Sequence, residues 1–183
     1  YPLKGFHYLL QAMQEILQNC PEAHIKVAGI SVLGVNGIKS RIKIPAYGKY
    51  LRRLILKNRL EGKVRVLGNL SAEEMKREYL SAQIFVCPSA VENSPNSVAE
   101  GQLLGVPVAA SRTGGIPDVV KDGVSGLLFE KGNVHELAAC VSRILTDKQL
   151  AKELSASERE TAAKLYNGEN NYQKLIEIYQ SIE

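Results

Sequence analysis

The sequence predicts an α/β fold with a mainly parallel, Rossmann-like sheet flanked by helices. Short apolar runs of strand length alternate with amphipathic helical patterns through the first 145 residues. The first two expected strands close on Gly29 and Gly68, and the third opens into a Pro/Ser/Asn loop. No internal repeat or low-complexity tract interrupts this order. At 183 residues, with 45% hydrophobic and 23% charged side chains, the chain can bury one full core. No apolar run approaches the roughly 20 residues that span a bilayer, and no signal peptide is visible. A net charge of +4 is too small to mark a nucleic-acid partner. Cys20, Cys87 and Cys140 are scattered without metal-type spacing, as small buried residues in a reducing compartment would be.

Phe6, Leu9, Leu10, Met13, Ile16 and Leu17 recur at helical spacing, and Asn19-Cys20-Pro21 stops that helix. Ile25 to Ala28 reads as a strand. Between Ile30 and Pro45 the periodicity dissolves, so a long loop is expected. Its Gly37-Ile38-Lys39-Ser40 lacks the spacing of a phosphate-binding P-loop. Tyr47, Leu51, Leu54 and Ile55 mark a second helix. From Lys39 to Arg59 the chain carries Lys39, Arg41, Lys43, Lys49, Arg52, Arg53, Lys57 and Arg59 with no acidic residue. Such a run suits anionic lipid headgroups or a phosphorylated acceptor, but more often it is a solvated helix face.

Val64 to Leu67 forms the next expected strand. Ser71 with Glu74 is a capping box opening a helix with Met75, Tyr79 and Leu80. Ile84 to Val86 reads as a buried strand. After a polar loop, Ser94 as N-cap and Pro95 in the first position start a helix that Gly105-Val106-Pro107 ends. A strand from Val106 to Ala110, a Gly114-Gly115 turn, a helical turn over Asp118 to Lys121 and a strand at Leu127 to Phe129 follow. Asn133 with Glu136 forms a second capping box before Leu137, Cys140, Val141, Ile144 and Leu145. A helix from about Asp147 to Lys164 stops at Asn167-Gly168, and a last one places Tyr172, Leu175, Ile176 and Tyr179 on one face.

The chemistry concentrates between Cys87 and Gly105. Glu92 stands in the loop, and Glu100 lies in the second turn of a helix that reads as largely buried, where an ionised group needs a partner. A strand, a polar loop and the free N–H groups of a helix start are how α/β folds present an anion site. His7, His24 and His135 fit no catalytic arrangement. No Asp-x-Asp and no His/Cys/Asp cluster has ligand spacing, so no metal is expected.

Glu92-x7-Glu100, Gly105-Val106-Pro107-Val108, Gly114-Gly115-Ile116-Pro117-Asp118 and Gly123-x-x-Gly126-Leu127-Leu128, with Lys4-Gly5 ahead of the first helix, occur in an order that resembles the C-terminal domain of retaining glycosyltransferases of family 4 (glycosyl transferases group 1). The resemblance runs from Lys4 to about Thr146. It implies half of a GT-B architecture and, as substrate, a nucleotide diphosphate sugar, UDP- or GDP-linked, with no other cofactor and no metal. Carried onto this chain, Lys4 would neutralise the diphosphate and Glu92 would contact donor-sugar hydroxyls near the anomeric centre, which makes these two the expected catalytic residues. Glu100 would accept from the two ribose hydroxyls. Asn93, Ser94, Asn96 and Ser97 would face the diphosphate or the sugar, and Gly68 and Leu70 would hold the base.

The chain departs from the family pattern in several places. Asn93-Ser94-Pro95-Asn96 replaces the usual Gly-Phe-Gly, Asp118 stands where Glu is common, and the segment from Ile30 to Pro45 replaces a short turn. The resemblance also implies that the domain's first strand, an Arg upstream of Lys4 and an acceptor-binding N-terminal domain lie before Tyr1. Residues 1–165 are thus expected to form a nucleotide-sugar-binding domain lacking its first strand. Residues 166–183 are expected to form a helix that packs toward the missing domain. The expected reaction is retaining hexosyl transfer by the full protein, with the isolated piece inactive. A glycan or lipid-linked acceptor would bind through the absent domain. A cytoplasmic setting is expected, and the basic run leaves open contact with the inner face of the membrane. A non-catalytic nucleotide-binding module and a GT-B sugar-nucleotide epimerase are the alternative readings.

Overall fold

The computed structural model describes residues 2–29 and 46–182, so the expected long loop and the first three cations of the basic run lie outside the described residues. A single 3₁₀ turn at Pro2–Lys4 leads into α1 (Phe6–Asn19), β1 (Ile25–Ala28), α2 (Ala46–Lys57), β2 (Val64–Gly68), α3 (Ala72–Ser81), β3 (Phe85–Cys87) and α4 (Asn96–Leu104). Next come β4 (Val108–Ser111), α5 (Ile116–Val119), β5 (Leu127–Phe129), α6 (Val134–Thr146), α7 (Lys148–Leu165) and α8 (Gly168–Gln180). The expected α/β class, with parallel strands between helices, is what forms. No helix among the described residues is long and apolar enough to cross a membrane.

The strands make two parallel sheets, β1-β2 and β3-β4-β5. Ile25 lies opposite Val64, Phe85 opposite Val108, and Ala109 opposite Leu127. Every residue of β4 and β5 is buried, as parallel strands covered on both faces require. Their side chains alternate between two cores. Ala109, Leu127 and Phe129 join Leu10, Met13 and Ile16 of α1, Leu51 of α2 and Leu137 of α6. Val108, Ala110 and Leu128 join Val98 of α4, Ile116 of α5 and Val120. Thus α1, α2 and α6 cover one face, and α4 covers the other.

Three side chains of α7 hold the turn from α4 into β4. Ser155 Oγ donates to the Gly105 carbonyl at 2.7 Å, an Arg159 guanidinium N–H donates to the Leu104 carbonyl at 3.1 Å, and the Val108 N–H donates to Glu158 Oε1 at 2.9 Å. Gly105 is left-handed at φ 70°, and a Cβ there would collide with the Arg159 side chain.

Several local expectations need correction. Helix α4 starts at Asn96, not beside a Ser94 cap: Pro95, at φ −81° and ψ 71°, is itself the cap residue. These angles are those of an inverse γ-turn, and the Asn96 N–H donates to the Ser94 carbonyl at 2.9 Å across it. The third strand runs one residue later than expected because pairing with β4 begins at Phe85. The helical turn is Ile116–Val119, with Pro117 in its first turn. The Ser71/Glu74 capping box is complete. At α6, Asn133 caps the Glu136 N–H, but the Asn133 N–H is already bonded to the Glu130 carbonyl. The Glu136 carboxylate therefore turns to the Glu130 N–H at 2.7 Å. In α3, Tyr79 is buried but Leu80 is exposed. Helix α8 buries nothing among the described residues, leaving Tyr172, Leu175, Ile178 and Tyr179 in the open.

Candidate functional site

The carboxyl ends of β2, β3 and β4 and the starts of α1 and α4 carry the side chains singled out from sequence. The loop from β3 to α4 is built by backbone contacts from several directions. From the Pro2–Lys4 turn, the Leu3 carbonyl accepts from the Ala90 N–H at 2.7 Å. After β4, Ser111 Oγ donates to the Ser89 carbonyl at 2.5 Å and Thr113 Oγ1 to the Ala90 carbonyl at 3.3 Å. The Gly115 N–H donates to the Glu92 carbonyl at 3.3 Å. Two positions admit only glycine: Gly5, at φ 69°, lies against the Pro88 carbonyl, and Gly114, at φ 51°, lies against the Glu92 carbonyl. Neither leaves room for a Cβ, and both have left-handed backbones.

Inside this frame the Glu92 side chain is 10% exposed. Its Oε2 accepts from Lys4 Nζ at 2.6 Å and from Ser89 Oγ at 3.1 Å. Lys4 is 62% exposed, so a ligand can reach the ammonium. Two residues 88 positions apart are thereby joined at the mouth of the sheet.

Glu100 sits separately, along α4. Its residue is exposed, contrary to the buried setting expected, because α4 turns Val98, Gly101 and Gln102 inward instead. The Tyr79 hydroxyl lies 3.3 Å from Glu100 Oε2 and 2.9 Å from the Ser97 carbonyl, and its one proton serves either acceptor. Burial, with the Glu100 carboxylate beside it, pushes the Tyr79 hydroxyl well above its ordinary pKa, so it stays a donor. Tyr79 also packs edge-on against Phe85, with ring centroids 5.3 Å apart.

The amide array expected from Ser94 to Ser97 is narrower in fact. Pro95 has no N–H, and that of Asn96 is bonded to the Ser94 carbonyl. The N–H groups of Val98 and Ala99 both reach the Pro95 carbonyl, at 2.9 and 3.1 Å. Ser97, in the first turn, has no intrahelical acceptor for its N–H. Asn93 and Ser94 are exposed, and the Asn93 carbonyl backs onto Gly115. Gly68 ends β2 with φ 76°, its carbonyl bonded to the Gly29 N–H at 2.7 Å, and Leu70 follows it. No described contact joins Gly68 or Leu70 to Glu92.

Sequence reasoning missed Ser89 and Tyr79 as parts of this site, and it named Gly5 only as the neighbour of Lys4. The only signal for Ser89 was its place three residues beyond an expected buried strand. Tyr79 read as one more apolar stripe position. The histidines stay away: His7 Nδ1 lies 3.0 Å from the Tyr47 hydroxyl, and His135 Nδ1 lies 2.6 Å from Glu15. Among the described residues no three His, Cys, Asp or Glu side chains gather as metal ligands.

The family model for glycosyl transferases group 1 matches residues 1–161. A D-inositol 3-phosphate glycosyltransferase of Corynebacterium urealyticum is 31% identical over 180 residues, which is 98% of this chain and 41% of that protein. The putative glycosyltransferase YtcC of Bacillus subtilis is 28% identical over 184 residues, 99% of this chain and 43% of YtcC. The chain thus spans less than half the length of these curated relatives. Among solved structures, sucrose-phosphate synthase of Thermosynechococcus elongatus superposes with a TM-score of 0.80 at 26% identity, covering 100% of this chain and 43% of that one. Anabaena Alr3699/HepE, in complex with UDP, superposes at 0.83 with 24% identity, covering 99% of this chain and 46% of its own, which establishes likeness of fold.

Proposed function

Because the chain belongs to the glycosyl transferases group 1 family, we propose that it is the donor-binding part of a retaining, metal-independent family 4 enzyme. The enzyme transfers a sugar from a UDP- or GDP-linked donor to an acceptor hydroxyl. The observation that carries this reading is the Lys4–Glu92 pair, held in a glycine-lined frame where β3 and β4 end. The Lys4 ammonium rests on Glu92, within reach of a diphosphate that would claim it.

In this reading Lys4 moves from Glu92 to the diphosphate and neutralises charge as the nucleotide departs. Glu92, released and still held by Ser89, accepts from hydroxyls of the donor sugar near the anomeric carbon. Glu100, outside the buried layer, is free to accept from the vicinal ribose hydroxyls with both its oxygens. The Ser97 N–H faces the anionic group, Asn93, Ser94 and Asn96 line its approach, and Gly68 and Leu70 hold the base. The acceptor hydroxyl attacks from the face the nucleotide leaves, which gives retention. A further domain outside these residues brings the glycan or lipid-linked acceptor, in the cytoplasm.

The test uses protein expressed from the complete reading frame, with UDP- and GDP-sugars as donors. Lys4→Ala is expected to lower kcat/KM for transfer and for donor hydrolysis by about 10²–10³. Glu100→Ala is expected to weaken nucleotide binding about 10- to 100-fold, the worth of hydrogen bonds to a charged group. The anomer of the product, read by NMR, decides retention. Unchanged turnover and binding in both variants would sink the proposal.

A further inference from the structure

Helix α2 carries a charge pattern that the candidate site does not use. Among the described α-helices it alone has cations and no acidic residue, whereas α3, α6, α7 and α8 mix both signs. Its exposed residues are Ala46, Lys49, Tyr50, Arg53, Leu56 and Lys57. At about 100° per residue they all fall within an arc of about 120°. Lys49, Arg53 and Lys57 stand four apart in a column through that arc. Leu56, 61% exposed, borders the column on one side, and Tyr50, 40% exposed, on the other.

None of these three cations has an ion-pair partner among the described residues. Cations elsewhere are paired: Lys26 with Glu78, Arg112 with Asp122 and Glu130, and Lys164 with Glu160. Glu15, the only acidic residue of the neighbouring α1, is taken by His135 of α6. Like charges four apart on a helix repel, and no described ion pair offsets that repulsion here. Nor does folding need the cationic side. The opposite side holds α2 in place, through Leu51 and Leu54 in the core and an Asn58 side-chain N–H donated to the Leu10 carbonyl at 2.9 Å.

We infer that the exposed side of α2 is a docking surface for a bilayer containing anionic lipid, with the helix axis lying along the membrane plane. The layout suits an extended surface better than a small anion. At 1.5 Å per residue the cations spread over ~12 Å of a convex helix instead of converging on one point. Each adds to the attraction of a negatively charged membrane. Their aliphatic stems let the charged ends reach headgroups while Leu56 and Tyr50 enter the interface. The start of α2 is tied to the start of α1, where His7 Nδ1 lies 3.0 Å from the Tyr47 hydroxyl. Docking on α2 therefore brings the Lys4 end of α1 toward the membrane. None of this depends on which donor the site takes.

Vesicle flotation of protein expressed from the complete reading frame tests the surface, with phosphatidylcholine alone and with phosphatidylcholine mixed with phosphatidylglycerol. The parent is expected to float more strongly with the anionic vesicles, and less so as salt rises. The combined variant Lys49→Gln, Arg53→Gln, Lys57→Gln keeps good helix formers and should melt as the parent does. Its partition onto anionic vesicles should fall about 100-fold, at roughly fivefold per cation. Lipid contacts elsewhere in the protein affect both forms alike and cancel in that ratio. Leu56→Ala should lower the partition about threefold and leave its salt dependence unchanged. A parent that stays off anionic vesicles, or a combined variant that partitions as the parent does, overturns the inference. A loss confined to double-stranded DNA, with vesicle binding unchanged, assigns the face to another polyanion and likewise overturns it.

Discussion

Replacing Glu158 with glutamine removes one titration from the core and is expected to leave stability nearly unchanged at acid pH while raising it at alkaline pH. Glu158 is fully buried; its Oε1 accepts from the Val108 N–H, and its Oε2 has no partner. Burial pushes its carboxyl from 4.5 up to about 8, against the smaller opposing pull of the Val108 N–H. A raised carboxyl pKa means that the native state holds a proton the unfolded chain releases, so stability is full below about 4.5 and is lost as pH rises toward 8. At about 1.4 kcal/mol per pH unit, that interval removes about 4–5 kcal/mol. The amide of Glu158→Gln keeps the acceptor for Val108 and carries no charge. At pH 5 the two proteins should therefore be within ~1 kcal/mol, and at pH 8.5 the glutamine form should be more stable by about 4 kcal/mol. The assay is urea denaturation at half-unit pH steps. Exposed carboxylates such as Glu78 and Glu160, held low by Lys26 and Lys164, are common to both proteins and cancel in the difference. Parallel stability curves from pH 5 to 8.5 would refute the argument.

Gly114→Ala puts a Cβ into the Glu92 carbonyl at a left-handed φ of 51°; a stability loss of about 2–4 kcal/mol is expected in thermal melts, together with weakened donor binding. Tyr79→Phe removes the hydroxyl between Ser97 and Glu100 while keeping the ring on Phe85. Calorimetry should show nucleotide binding about 3- to 10-fold weaker with an unchanged melting temperature, and an unaltered Kd would show that the hydroxyl does not position Glu100. Ser71→Ala deletes one half of the α3 capping box and should cost about 1 kcal/mol in urea denaturation.

Much of the frame was legible because it is written in local pattern. Alternation between two cores makes Val108, Ala109 and Ala110 read as a strand covered on both faces, and the helical spacing of Leu9, Leu10, Met13 and Ile16 survives intact in α1. Glu92 and the Gly114-Gly115 pair were visible as a carboxylate and a turn, and their contact follows from β3 and β4 being neighbours. What was not legible depends on partners distant in sequence. Glu158 sits in Lys-Glu-Leu-Ser-Ala-Ser-Glu-Arg-Glu, which reads as a solvated helix, and only the seat of α7 on the Val108 N–H buries it. The link from Tyr79 to Glu100 crosses 21 positions and two helices. Ser94-Pro95 fits a helix cap and an inverse γ-turn equally well, and the acceptor for the Asn96 N–H decides between them.

The way the site is held together argues that its charges can be removed without unfolding it. An ion pair whose lysine is 62% exposed adds at most about 1 kcal/mol to stability. The fixed geometry comes instead from uncharged contacts: Leu3 to Ala90, Ser111 to Ser89, Gly115 to Glu92, and two glycines packed on carbonyl oxygens. All of these persist when Lys4 is truncated. Glu92 would keep its bond from Ser89 and its place in the loop, losing only the ammonium. A Lys4→Ala protein that melts within a degree or two of the parent yet fails to turn over donor would therefore locate the contribution of Lys4 in charge presented to a ligand. A protein that unfolds would place it in the packing between the start of α1 and the end of β3.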